Sequence, residues 1–271
     1  MRSLLFVPGS RPDRIAKALE AGADAVCVDL EDAVAPGAKD QARKAVLEAL
    51  SADARFAVRV NALETEWGRE DADALGGHAR RPDFVMLPKA ESAGQIEILS
   101  AALGPAGAGG IVPIIESAAG LREAWAICAA PGVKAVLFGG GDMAADLGVA
   151  MDFEPLLFAR SQVVAACAAA SVPAIDVPFL DVKDEAGLVA ETRRVQALGY
   201  TAKACIHPAQ VFPVNEAFTP SKADISQAER VIAALDEAGG GAALLDGKLI
   251  EAPIIRRARR VLESARQARP N

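Results

Sequence analysis

The chain contains no apolar run approaching the roughly 20 residues that a membrane helix needs, although 52% of its 271 residues are hydrophobic and its mean hydropathy is +0.21. It opens on a strand-like pattern at Ser3 with no secretory leader, so a cytoplasmic protein with a large buried core is expected. The four cysteines, Cys27, Cys128, Cys167 and Cys205, include no C-x-x-C pair. Cys27 falls in a strand pattern, and Cys128 and Cys167 fall in helical ones. All three occupy apolar positions and read as buried thiols of a reducing compartment, not disulfides or zinc ligands. Positive charge is in short supply: 29 Lys and Arg face 36 Asp and Glu, and the net charge of −7 argues against nucleic acid as a partner. Nucleotide signatures are missing as well. PGSRPD, after the first strand pattern, is not a Gly-rich fingerprint, and neither Gly104–Gly110 nor Gly139–Gly141 matches a P-loop.

What is present is alternation. Strand patterns occupy Ser3–Val7, Ala25–Leu30, Phe56–Val60, Phe84–Pro88, Ile111–Ile115, Val133–Phe138, Ala174–Val177 and Thr201–Ile206. Helical patterns occupy Pro12–Ala21, Lys39–Leu50, Glu66–Leu75, Ser92–Leu103, Ala118–Ala130, Pro155–Ala170, Glu185–Leu198 and Pro208–Phe218. Eight alternating units over about 220 residues predict an α/β fold of the (β/α)8 barrel type; a doubly wound sheet is the alternative. Past Pro220 the pattern changes. An amphipathic helix over Ser221–Ala238 is broken by Gly239–Gly241, a hairpin signal sits at Asp246-Gly247, and a last helix covers Ile254–Gln267. The expected division is a barrel over residues 1–220 and a lid or oligomerisation segment over 221–271.

The chemistry concentrates between Ile111 and Asp142. Two buried parallel strands flank one helix, and each strand ends in an acid, Glu116 and Asp142. Active sites of parallel α/β folds lie at that end. Two carboxylates from successive strands can hold one hard cation, most simply Mg²⁺; helix capping is the plainer use. The second strand ends in three acids, Asp29, Glu31 and Asp32, which call for a metal shell or basic partners. Arg59 alternates inward on the third strand, where its fork suits a carboxylate or carbonyl oxygen. Lys89 closes the fourth strand as either a Schiff-base amine or a counter-ion. Asp176 ends the seventh strand, and Lys203 and His207 sit on the eighth; His207 reads equally as scaffold or catalyst.

These segments carry a resemblance: FVPGSRPDRIAKAL, DLEDAV followed by Lys39 to Arg43, RVN, MLPKAES, PIIES, FGGGDMAADLG, IHPAQ and the tail LDGKLIEAP. Their number and order resemble the citrate lyase β-subunit and HpcH/HpaI aldolase superfamily, within it the stand-alone CitE-like lyases. The resemblance implies a TIM barrel, a Mg²⁺ cofactor and cleavage of a carbon–carbon bond in a 3-hydroxy-3-carboxyacyl thioester of the citramalyl-, malyl- or citryl-CoA type. It implies acyl-CoA and keto-acid ligands and a homotrimer or hexamer. Glu116 and Asp142 match its metal ligands, and Arg59 matches the residue that meets the substrate oxygen. Arg11 matches the coenzyme A region. Glu251 stands where the family has an acid/base Asp. A class II pyruvate aldolase on free acids and a carrier-dependent citrate lyase subunit are the alternatives.

Overall fold

The computed structural model describes residues 1–51, 55–104, 109–238 and 243–267. Eight parallel strands close on themselves in sequence order: β1 (Ser3–Pro8), β2 (Ala25–Asp29), β3 (Ala57–Arg59), β4 (Val85–Leu87), β5 (Ile111–Ile115), β6 (Val136–Phe138), β7 (Ala174–Asp176) and β8 (Ala202–Cys205), with β8 pairing back onto β1. The helices around them are α1 (Ile15–Leu19), α2 (Lys39–Ser51), α3 (Glu66–Gly77), α4 (Ala93–Leu103), α5 (Ala118–Arg122), α6 (Ala124–Ala129), α7 (Gly140–Leu147), α8 (Leu157–Ala170), α9 (Glu185–Leu198) and α10 (Val211–Phe218). This is the expected (β/α)8 barrel.

Strand alternation decides what fills the barrel. Leu4, Cys27, Ala57, Met86, Ile114, Leu137, Ile175 and Ala204 pack together as its interior. Two residues further along the same parity stand Asp29, Arg59, Glu116 and Gly139, so these four face the C-terminal mouth. Asp176 has the opposite parity to Ile175 and points into the wall. There it is fully buried, accepting from Arg160 Nε at 2.9 Å and Lys203 Nζ at 2.5 Å. Lys203 also reaches Glu191 at 2.8 Å, and Arg160 lies 5.2 Å from the ring centres of both Phe138 and Phe153. This buried group of charges ties β7 and β8 to α8 and α9. Its residues belong to the scaffold.

Several boundaries differ from the sequence expectation. The Pro12–Ala21 segment is a 3-10 turn over Pro12–Arg14 followed by the short α1. The helix expected over Ala118–Ala130 is divided into α5 and α6 at Glu123. Val133 makes only an isolated bridge to Ile111, and β6 begins at Val136. The loop expected over Gly139–Gly141 instead opens α7, a helix not anticipated. The expected tail break at Gly239–Gly241 and most of the 104–110 loop lie outside the described residues.

A first compact unit spans Met1–Asn215 and a second Glu216–Asn271. In the second, α11 (Lys222–Glu237) begins with a capping box on Ser221 and Asp224. The hairpin of β9 (Ala243–Leu245) and β10 (Lys248–Ile250) turns at Asp246-Gly247, both at positive φ, and α12 (Ala252–Gln267) follows. Ala228, Val231, Ile250 and Ala258 form a small core of its own. No helix among the described residues is long and apolar enough to cross a membrane.

Candidate active site

The mouth is assembled by register. Asp29 and Arg59 are direct partners in the β2–β3 pairing, so two inward side chains of opposite charge stand side by side. Asp29 accepts from Arg59 Nε and Nη2 at 2.6 Å each and also from the backbone N–H groups of Glu31 and Ala33. The guanidinium lies 5.3 Å from the Phe6 ring centre. Burial works against its charge, but the Asp29 hydrogen bonds and the surrounding acids outweigh it and raise the Arg59 pKa further. One edge of the fork, Nη1, faces Glu31 at 2.8 Å and Asp32 at 3.5 Å.

Glu31 is buried. Arg59 and Lys89 (Nζ at 3.3 Å) approach it, yet neither carboxylate oxygen receives a well-directed hydrogen bond from any described residue. Burial pushes its carboxyl up to about 7 against the pull of Arg59. Its loop is pinned from behind. Lys39 Nζ donates to the carbonyls of Leu30 and Glu31 at 3.0 Å each and to Asn61 Oδ1. Asp71 then accepts from the Asn61 side chain and from Arg43. The sequence singled out Lys39 and Arg43 only as part of a resemblance. Basic residues seven and eleven positions after the last of three crowded acids were the available signal.

Glu116 follows β5 and is buried, with Oε1 accepting from the Lys89 backbone N–H at 2.7 Å. Burial, with Glu31 and Asp142 adding to it, raises its carboxyl to about 8. Gly139 is required beside it: a Cβ there would stand 2.4 Å from Glu116 Cβ and 2.5 Å from Oε2. Asp142 does not end a strand, as expected, but lies exposed in the first turn of α7. It remains close enough to perturb both Glu116 and Lys89.

The donor set fits a hard cation. Glu31, with neither oxygen hydrogen-bonded, and Glu116 are both buried at one mouth, and Asp142 is near enough to raise the Glu116 carboxyl. Among the described residues, no group of three or more His, Cys, Asp and Glu is placed to hold a metal ion by itself. Glu116 and Asp142 would therefore leave positions for water and ligand oxygens, as Mg²⁺ usually requires.

The other expected residues are placed as follows. Arg11 follows β1 on the exposed rim, paired with Asp13 at 2.7 Å, which raises its pKa through the hydrogen bond. Glu251 lies exposed in the second unit between β10 and α12, its carbonyl accepting from Ile254 and Ile255. His207 accepts from the Ala209 N–H at the turn after β8, which is scaffold work. Lys89 has a pKa raised above the ordinary lysine value: burial opposes its charge, but Glu31 and the other acids prevail. A Schiff-base amine needs the opposite shift.

Residues 2–208 match the HpcH/HpaI aldolase/citrate lyase family. The chain belongs to that family. It is 34% identical over 303 residues to the L-malyl-CoA/beta-methylmalyl-CoA lyase of Rhodobacter capsulatus, with 99% of this chain and 95% of the relative covered. It is 36% identical over 281 residues to the (3S)-malyl-CoA thioesterase of Cereibacter sphaeroides, with 97% and 94% covered. Among solved structures it resembles Mycobacterium tuberculosis CitE in complex with magnesium, acetoacetate and coenzyme A, with TM-score 0.84, 34% identity and 97% of both chains covered.

Proposed function

We propose that this protein is a Mg²⁺-dependent carbon–carbon lyase that splits a 3-hydroxy-3-carboxyacyl-CoA thioester into a keto acid and an acyl-CoA. What carries the reading is the convergence of Glu116 and Asp142 with an Arg59 held rigid by Asp29 at one barrel mouth. A bound divalent ion supplies Lewis-acid stabilisation of charge developing on substrate oxygens. Asp29 fixes two edges of the Arg59 fork, so that the Nη1 edge is the one a substrate oxygen meets. The hydroxyl loses its proton, the carbon–carbon bond breaks, and its electron pair passes into the thioester enolate. Arg59 lowers the cost of that negative charge without reorganising, and proton return to the enolate carbon completes the acyl-CoA.

Glu251 is the residue we assign to acid/base work, carried over from the resemblance, and the assembly we assign is a homotrimer or a hexamer in the reducing cytoplasm. The four buried, free thiols support that compartment. Arg11 is assigned to coenzyme A. Mixing inactive Glu116→Gln and Glu251→Ala proteins by co-refolding tests both assignments: activity recovered in mixed oligomers places Glu251 on the neighbour's site, and a fully active Glu251→Ala protein removes it from the mechanism.

The deciding experiment incubates purified protein and Mg²⁺ with citramalyl-, malyl- and citryl-CoA and measures keto acid and free coenzyme A thiol together. Keto acid without thiol is expected. Thiol without keto acid would make the protein a thioesterase, like one of its relatives. Turnover of free hydroxy acids alone would make it a pyruvate aldolase. Activity only with an acyl-carrier protein would make it a citrate lyase subunit.

A further inference from the structure

Lys89 is one of three described non-glycine residues with positive φ, at +51°. That conformation is strained for a residue with a Cβ and costs glycine almost nothing. The backbone task at this position, donating the N–H to Glu116 Oε1 at 2.7 Å, would be done as well by glycine. A strained lysine where an unstrained glycine would serve the same hydrogen bond means that the side chain itself is in use.

The side chain is half-exposed, its Nζ 3.3 Å from Glu31 at the mouth. Of the two cations that meet Glu31, Arg59 has a single edge left for a ligand: its Nε and Nη2 are taken by Asp29, and Nη1, beside Glu31 and Asp32, is the edge assigned above to the substrate oxygen. Lys89 has three donors and one long contact to an acid already shared with Arg59. Half-exposed and beside an acid, it is an ammonium at neutral pH, as an ordinary lysine is. Its spare donors point to an anionic ligand group that a neutral ligand would lack.

We propose that Lys89 is a specificity-determining residue that binds the free carboxylate of the hydroxyacyl thioester, the group that becomes the carboxylate of the keto acid. The inference rests on the lyase reading above for the identity of the ligand. It makes no covalent bond, and it explains the side chain better than an amine nucleophile does.

The test uses the full-length protein with Mg²⁺. Affinity for pyruvate and for its uncharged methyl ester is measured by calorimetry in the parent, Lys89→Met, Lys89→Gly and Lys89→Arg, together with KM and kcat on the thioester that the parent turns over. A charge-assisted hydrogen bond lost in Lys89→Met and Lys89→Gly weakens pyruvate binding and raises KM about tenfold or more, with methyl pyruvate affinity little changed. Lys89→Arg recovers most of the loss. Lys89→Gly, free of the strain, melts no lower than the parent, which separates lost binding from lost folding. The Mg²⁺ affinity of Lys89→Met equals or exceeds the parent's, because a neighbouring positive charge has gone. Equal loss for pyruvate and its ester, or unchanged KM in Lys89→Met, overturns the proposal, as does a borohydride-trapped adduct on Lys89. If the parent binds pyruvate through Lys89 but cleaves no thioester, the lyase reading fails while this one stands.

Discussion

Removing the divalent ion should make the stability of this protein strongly dependent on pH, in a direction opposite to the usual one for carboxylates. Glu116 rises from 4.5 to about 8 in the folded chain, and Glu31 from 4.5 to about 7. Burial is the main cause in both, and neighbouring acids add to it. Between the unfolded and folded values, the folded metal-free protein holds protons that the unfolded chain has released. Its stability is therefore full below pH 4.5 for these groups and is lost as pH rises through about 7 and then about 8. Each pH unit of displacement is worth ~1.4 kcal/mol, so Glu116 alone removes stability on the order of 5 kcal/mol above pH 8. A bound cation replaces those protons and restores what was lost. The assay is thermal melting of EDTA-treated and Mg²⁺-saturated protein from about pH 5 to about pH 9. The metal-free melting temperature should fall across that range, and the rise on adding Mg²⁺ should grow with it. Calorimetry in buffers of differing ionisation enthalpy should register proton release on Mg²⁺ binding near neutrality. A Mg²⁺-induced rise in melting temperature that is the same at both ends of the range, with no proton released, would refute the reasoning.

Gly139→Ala would drive a methyl group to 2.4 Å from Glu116 Cβ. Displacement of that carboxylate should weaken Mg²⁺ binding measurably by calorimetry and cost about 1–3 kcal/mol of stability. Asp176→Asn should act on folding alone: it strips a buried arginine and a buried lysine of their shared partner, a loss of about 3–5 kcal/mol in chemical denaturation, while the protein that remains folded keeps its KM.

The barrel was legible because eight short apolar runs alternate with eight helical patterns, and a closed parallel barrel is the compact way to bury that many. Parity could also have been read further than it was. Asp29, Arg59 and Asp176 all sit at strand ends, but only the first two share the parity of the inward-facing small and apolar residues before them. Ile175 shows that Asp176 faces the wall. Asp142 was misplaced by one element because three consecutive glycines read as a loop. They open a helix instead, and the first is glycine because Glu116 occupies the space a Cβ would need. The roles of Asn61 and Asp71 in pinning the Glu31 loop through Lys39 were not legible, since they join residues up to 41 positions apart through side chains that look like ordinary surface polarity.

The closure of the sheet has a practical corollary. A barrel that returns β8 to β1 exposes no unpaired strand edge. Among the described residues, the free N–H and C=O rows of sheet edges belong to the β9–β10 hairpin alone, three residues per strand. Self-association by strand addition, during concentration, storage or crystallisation, should therefore start from residues 243–250, and a proline at an outward-facing N–H of that hairpin is the substitution to try first when the preparation aggregates.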